Sequence, residues 1–398
     1  MQPPEEPAAR GALSGCLVAD FSRVLAGPLA TMLLGDLGST VVKVEHPRGD
    51  DTRSWGPPFL GHESTYYLSV NRNKRSVVLD LSTPEGASDA RRLAQRATVL
   101  VENFRPGRLA AFGLDYDQLA AVNPGLVYCS ISGFGGAGTK GADLVGYDFV
   151  VQAMSGLMDI TGPMGGPPTK VGVAVVDVLT GLYAVIGILA ALEARRDGGV
   201  GQRVEVSLMS SALASLVNQA SAYLNTGTVP HALGNRHPSI APYETFPTMD
   251  GVLALAVGND GQFRTLCGAI GEEALADDER FATNPARVAN RDTLARLLEA
   301  QLSTRPTTQW VEVLRAAGVP CGPVNDVAGA FRDARRLGLD AAVRQPGPSG
   351  DVSSVANPLT LSGSPVTYRL PPPALGHDTD EVLAWLRTPS PAAPLDPA

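Results

Sequence analysis

From Leu17 to Ser132 the chain alternates short runs of β-branched and aliphatic residues with longer helical patterns, which restricts it to few folds. Leu17-Val18-Ala19-Asp20-Phe21 reads as a strand, Pro28 to Leu37 as a helix closed by Gly38, and Val41 to Glu45 as a second strand. Further strands are predicted at Val77 to Leu81, Thr98 to Glu102 and Leu126 to Ser132, with a helix from Pro84 to Arg96. This order predicts an α/β fold, a doubly wound, Rossmann-like parallel sheet with helices on both faces. A strand at Arg203 to Val206 and a helix through Asn218 lead to Gly227-Thr228-Val229-Pro230, which has the composition of a linker. Beyond it, strands at Pro242 to Phe246 and Val252 to Val257 precede helices at Gln262 to Ile270, Arg291 to Leu302 and Thr307 to Ala317, predicting a smaller α/β domain. The expected organisation is a disordered lead-in (1–15), a large domain (16–205), a linker (206–227) and a small domain (228–319). A return linker (320–357), a C-terminal part of the large domain (358–388, with a helix in Ala374 to Leu386) and a frayed tail (389–398) complete it.

Composition narrows the class. The 398 residues are 44% hydrophobic and 18% charged, enough to bury a full core. The start, Met1 to Gly15, lacks the apolar stretch of a secretory signal and the Arg-rich, acid-poor bias of a transit peptide, so a cytoplasmic enzyme is expected. Cys16, Cys129, Cys267 and Cys321 are scattered without a Cys-x-x-Cys, which signals neither a disulfide framework nor a zinc site. The net charge of −8 argues against a nucleic-acid surface. That charge is uneven: residues 1–110 hold 13 Lys and Arg against 12 Asp and Glu, so an anionic ligand is best tolerated there.

One carboxylate stands out. Val171, Val173, Val175 and Val176 read as a buried strand, whereas Leu182, Val185, Ile186 and Leu189 recur at helical spacing, which puts Asp177 where a strand ends and a helix begins. There it is open to two readings. As an N-cap it would accept from the N–H groups of Leu179 and Thr180; as an ionised carboxylate favoured by the helix dipole, beside apolar walls, it is a potential nucleophile. A membrane span is not expected, because extending the uncharged run Val178 to Leu192 to about 20 residues would bury Asp177.

Four other segments are distinctive: Asp20-Phe21-Ser22-Arg23-Val24-Leu25-Ala26-Gly27-Pro28, the cationic turn Asn71-Arg72-Asn73-Lys74-Arg75, Val101-Glu102-Asn103-Phe104-Arg105-Pro106-Gly107, and Gly258-Asn259-Asp260-Gly261-Gln262-Phe263. In a doubly wound sheet, loops leaving the carboxyl ends of strands line the ligand crevice. Together with Gly172-Val173-Ala174-Val175-Val176-Asp177, these segments resemble the class III CoA-transferase family from about Gly15 to Leu386. The stretch Gly49-Asp50-Asp51-Thr52-Arg53-Ser54-Trp55-Gly56-Pro57-Pro58, continuing to Asn73, looks most like its succinyl-CoA:glutarate branch.

The resemblance implies ring-shaped protomers in an interlocked homodimer, acyl-CoA and a carboxylic acid as substrates, and no metal or nucleotide cofactor. It implies Asp177 as the nucleophile, passing through a mixed anhydride and an aspartyl-CoA thioester. CoA contacts map onto Val24, Leu25, Ala26, His46, Leu79, Asn103 and Phe104, with Arg105 and Arg108 supplying charge where relatives carry Arg or Lys at the positions of His46, Ser82 and Ala111. Gly258, Asn259, Asp260 and Gly261 correspond to the family's glycine turn over the reacting carboxylate, here bulkier than an all-glycine loop. Arg53 and Arg72 are expected near the crevice, paired with the distal carboxylate of a dicarboxyl substrate such as succinyl-CoA. Two alternatives stay in view. A 2-methylacyl-CoA racemase or related isomerase would carry Gly-His-Asp where this chain has Gly146-Tyr147-Asp148, and tyrosine, a poor base near neutrality, suits donation to a substrate oxygen. A non-catalytic acyl-CoA-binding protein would not need both Asp177 and the glycine turn. A nicotinamide dehydrogenase is disfavoured by the absence of Gly-x-Gly-x-x-Gly between Asp20 and Pro28.

Overall fold

The structure, a computed structural model, describes residues 11–347 and 350–388. The expectations for residues 1–10 and 389–398 lie outside these. The described part of the expected lead-in is structured, since Leu13 N donates to Leu37 O at 2.9 Å. The chain forms two compact units: the first takes in residues 11–155, Val171–Thr226 and 340–388, the second Gly156–Lys170 and Gly227–Leu339.

The first unit is built on six parallel strands, β1 (Leu17–Asp20), β2 (Thr40–Glu45), β3 (Lys74–Val78), β4 (Val99–Glu102), β5 (Val127–Ser132) and β6 (Arg203–Ser207), in the order β3-β2-β1-β4-β5-β6. β1 pairs with β2 (Val18 opposite Val41) and with β4 (Val18 opposite Val99), so the strand order reverses at the β1–β4 crevice. Chain continuity dictates where helices go: α1 (Ala26–Asp36) follows β1, and α2 (Pro84–Arg96) follows β3. α2 starts at Pro84 because Thr83 Oγ1 accepts from Gly86 N at 3.1 Å, a side-chain cap with proline at the first helical position. One core layer joins Val42, Val77, Leu93, Leu100, Tyr128, Val382 and Leu386, which places the C-terminal helix Thr379–Leu386 on this sheet. Each such fully buried aliphatic side chain contributes about 1.5–3 kcal/mol.

α3 (Asp148–Met154) and α4 (Val175–Gly198) follow β5. The expected strand Val171 to Val176 is not formed: Val171 to Ala174 is irregular, Val173 is exposed, and Val175 and Val176 already belong to α4. Asp177 therefore sits inside the first turn of the helix. By length and composition alone α4 could cross a membrane; it packs along α1, with Val176, Gly181, Ala184, Ile188 and Ala191 buried. Glycine is required at 181, since a Cβ there would lie 2.7 Å from Ala26 O.

The region read as a linker, 206–227, is mostly helical, with helices at Leu208–Ser215 and Val217–Thr226. The second unit contains a three-stranded antiparallel sheet, Tyr243–Pro247, Val252–Ala256 and Cys321–Pro323, with Val252–Ala256 central. Its own core gathers Phe246, Leu253, Phe263, Leu294, Leu298 and Trp310. The expected return linker is thus divided: Cys321–Pro323 and the helix Val327–Arg336 belong to the second unit, the hairpin Ala342–Gln345/Val352–Val355 to the first.

Candidate active site

Asp177 faces a cleft of about 230 Å³ whose walls come mainly from three connections that leave the sheet. Arg23 to Ala26 follow β1, Asn103 to Pro106 follow β4, and Ser132 ends β5 and Gly133 follows it, with Leu144 to Tyr147 leading on into α3. A second cleft of about 320 Å³ adjoins it through the shared Arg23, Asp51 and Phe104. It is lined by His46, Arg48, Leu79, Ser82 and Arg108. Every residue assigned to CoA in the sequence lines one of the two: Val24, Leu25, Ala26, Asn103, Phe104 and Arg105 the first, His46, Leu79, Phe104 and Arg108 the second. The double cleft lies at the carboxyl end of the β1–β4 crevice, the switch point where open α/β sheets bind ligands.

Local chemistry fixes the two sides of that crevice. Asn103 Oδ1 accepts from Arg23 N at 2.9 Å while its Nδ2 donates to Arg23 O at 2.7 Å, so one side chain pins the β1 loop to the β4 loop. Glu102 accepts from Phe104 N at 2.8 Å and from Ser130 Oγ, and burial pushes its carboxyl up to about 7. The N-terminus of α1 has no side-chain cap, which leaves its first turn to face the cleft as a site for an anionic or carbonyl oxygen.

Asp177 is not the cap of its helix. Asp148 Oδ1 accepts from Val176 N at 2.8 Å and Asp177 N at 3.2 Å, and Asp148 Oδ2 accepts from Gln152 Nε2 at 2.6 Å. Buried Gln152 also accepts from Val171 N at 2.9 Å, tying α3 to the start of α4. Asp148 is consumed in holding the helix, and Asp177 is released to the cleft. Asp177 keeps its place in the first turn, but burial, with the Asp148 carboxylate adding to it, works against the dipole and pushes its carboxyl up to about 7. The Gly-Tyr-Asp segment is set by backbone contact, for a Cβ on Gly146 would lie 2.4 Å from Gly133 Cα. Tyr147 stands exposed at the cleft, 56% accessible.

Arg53 and Arg72 line neither cleft. Arg53 donates to both oxygens of buried Glu45 (2.8 and 2.7 Å) and to Tyr67 OH at 2.6 Å. Arg72 is 2% exposed and forks onto Asp36 at 2.9 and 2.6 Å. Both guanidiniums bind the chain's own carboxylates, which the expectation of a distal-carboxylate site did not anticipate. Gly258 to Gly261 belong to the second unit. There Gly258 N donates to Gln262 Oε1 at 2.7 Å, Asn259 Oδ1 caps the helix Asp260–Ile270 by accepting from Gln262 N at 2.9 Å, and Asp260 pairs with Arg287 at 2.8 Å.

The sequence reading did not single out Arg23, Arg48 or Asp51 as site residues, nor the scaffold role of Asp148 and Gln152. The i, i+4 spacing of Asp148 and Gln152, just after Gly146, was the one local signal for the last.

The succinate–glutarate CoA-transferase of Agrobacterium fabrum is 46% identical over 94% of this chain and 96% of its own length. The human succinyl-CoA:glutarate CoA-transferase is 41% identical over 93% of this chain and 85% of its own length. Among solved structures, a CAIB/BAIF family protein from Brucella suis superposes with a TM-score of 0.85 at 43% identity, covering 95% of this chain and all of the other. Residues 13–379 match the model of CoA-transferase family III, and with a carboxylate nucleophile candidate set beside a switch-point double cleft, the chain belongs to that family of enzymes that transfer CoA.

Proposed function

We propose that this enzyme moves CoA from succinyl-CoA to a short dicarboxylic acid such as glutarate, through covalent intermediates on Asp177. The observation that carries the reading is the position of Asp177, relieved of the capping role by Asp148 and on the wall of the cleft that Val24 to Ala26 and Asn103 to Arg105 also line. The Asp177 carboxylate attacks the donor thioester carbonyl, the C–S bond breaks, and CoA leaves as thiolate from an acyl–aspartyl anhydride. The thiolate attacks the aspartyl carbonyl, which frees the donor acid and leaves an aspartyl-CoA thioester. The acceptor carboxylate displaces the thiolate again, forming a second anhydride. Thiolate attack on its acceptor carbonyl then yields the new acyl-CoA and restores Asp177. One thioester replaces another and no net proton is consumed.

The residues suit each step. A carboxylate titrating near 7 is more basic, hence a stronger nucleophile once ionised, than one near 4. Leu144 and Val145 give apolar walls, and Tyr147 offers a hydroxyl to an anionic tetrahedral oxygen. Arg23, Arg48, Arg105 and Arg108 border the double cleft and supply charge for the phosphates of CoA. The dicarboxylate preference is supported by the names of the Agrobacterium and human relatives. The enzyme is proposed to act as a cytoplasmic, interlocked homodimer.

A screen of acyl-CoA donors against carboxylic acids, read by mass spectrometry, tests the reading. Succinyl-CoA with glutarate is expected to turn over faster than butyryl-CoA with butyrate; equal use would contradict the dicarboxylate preference. In heavy water a 2-methylacyl-CoA is expected to keep its α-proton, whereas rapid deuterium incorporation would favour racemisation.

A further inference from the structure

The turn that lines the cleft after β1 contains a residue in a conformation its side chain disfavours. Val24 has φ +71°, in the left-handed region that β-branched residues rarely occupy. Its N–H points to the Asp50 carboxylate, 3.3 and 3.4 Å from the two oxygens. Asp50 is itself fixed from three sides: Lys43 Nζ at 2.9 Å, Thr52 N at 3.0 Å and Thr52 Oγ1 at 2.8 Å. Lys43 rises from β2 and donates also to Ser22 O at 2.9 Å, so the pair grips the turn at residues 22 and 24. Neither charged side chain has any exposed surface.

A buried ion pair carries a desolvation cost that well-packed apolar residues would avoid, so stability alone is a weak reason for this one. Its geometry gives a better one. We infer that the buried Lys43–Asp50 pair is a positioning device that holds Val24 left-handed and thereby sets the Val24–Ala26 backbone against which the acyl-CoA is bound. This rests on the reading of that cleft as the CoA site. Glycine at position 24 would adopt the same φ without a clamp.

The test combines Asp50→Asn, Val24→Gly and their double variant, with Phe104→Ala as a control in the cleft wall. Measured by titration with CoA and by kinetics, Asp50→Asn is expected to weaken CoA binding and lower kcat/KM for acyl-CoA by roughly tenfold to a hundredfold, leaving the KM of the acceptor acid unchanged. The double variant Asp50→Asn/Val24→Gly is expected to recover most of that loss although its melting temperature is no higher. A merely structural Asp50 would show no such rescue. If Asp50→Asn does not fold, the near-isosteric Thr52→Val takes its place, with an expected loss of about threefold that Val24→Gly again repairs. Weakened binding in Phe104→Ala with none in Asp50→Asn, or absence of rescue by glycine, overturns the clamp alone. Unchanged CoA binding in Phe104→Ala as well overturns the site on which it rests.

Discussion

Two neighbouring aspartates with opposite duties account for most of what the site can do. Asp148 accepts the first N–H groups of α4 and so carries the capping role that Asp177 seemed to invite. Asp177 is left half-buried beside that carboxylate, and both effects favour its proton. Only the ionised form attacks a thioester, so kcat/KM for acyl-CoA is expected to rise with pH up to about 7 and then level off. Asp148→Asn removes the neighbouring charge and should shift that limb to lower pH; an unmoved limb would show that the kinetics report another group. Stability runs the opposite way with pH. Native Asp177 holds its proton up to about pH 7 while the unfolded chain loses it near 4, so folding weakens as pH rises between them. Asp177→Asn is therefore expected to gain about 2–4 kcal/mol relative to the parent on going from pH 4 to pH 8, measured by denaturant unfolding. Arg72 makes the opposite case. Arg72→Ala leaves Asp36 buried without its partner, so a loss of about 3–5 kcal/mol in stability is expected, with no selective rise in the KM of dicarboxylates.

At the level of elements, α1 and α4 must run close for Asp177 to meet the Val24–Ala26 turn. Gly181, one turn beyond Asp177, permits it. Gly181→Ala would push Ala26 O away and part the nucleophile from the turn. The expected result is a fall in kcat of about a hundredfold, with a folded protein by circular dichroism; an unaffected kcat would show that the two elements need not be in register. The same elements show why the sequence is legible in parts. The strands Leu17–Asp20 and Val99–Glu102 and the helices Pro84–Arg96 and Arg291–Leu302 follow from period and local caps, within a residue or so. Val171 to Val176 misleads because β propensity reflects a half-buried pleated setting and is no intrinsic rule. Here the setting is decided by Asp148 and Gln152, some 20 to 30 residues upstream, which draw Val175 and Val176 into a helix. Arg53 and Arg72 mislead for a related reason: a sequence shows a guanidinium but not the Glu45 or Asp36 that folding brings to it.

For the whole molecule, the candidate CoA contacts Val24 to Ala26, Asn103 and Phe104 came from the family resemblance, and the sheet brings them to one cleft because they leave the neighbouring strands β1 and β4. What each unit leaves uncovered was not legible in the sequence. Ile186 on α4, Val217 and Leu224 in the first unit and Val327 in the second are 61 to 77% exposed. A homodimer is the proposed cover, and if its protomers interlock, sedimentation at nanomolar concentration should still show no folded monomer; reversible dissociation would contradict interlocking. Whatever the assembly, the central claim is that Asp177 takes the CoA chain covalently. The most direct measurement is the intact mass of the enzyme after incubation with succinyl-CoA and rapid acid quench, followed by peptide mapping. The expected result is a species heavier by one CoA less water, with the adduct on the peptide carrying Asp177 and absent from Asp177→Asn. An enzyme that turns over without any adduct there, or an Asp177→Asn variant with near-normal turnover, would contradict the account.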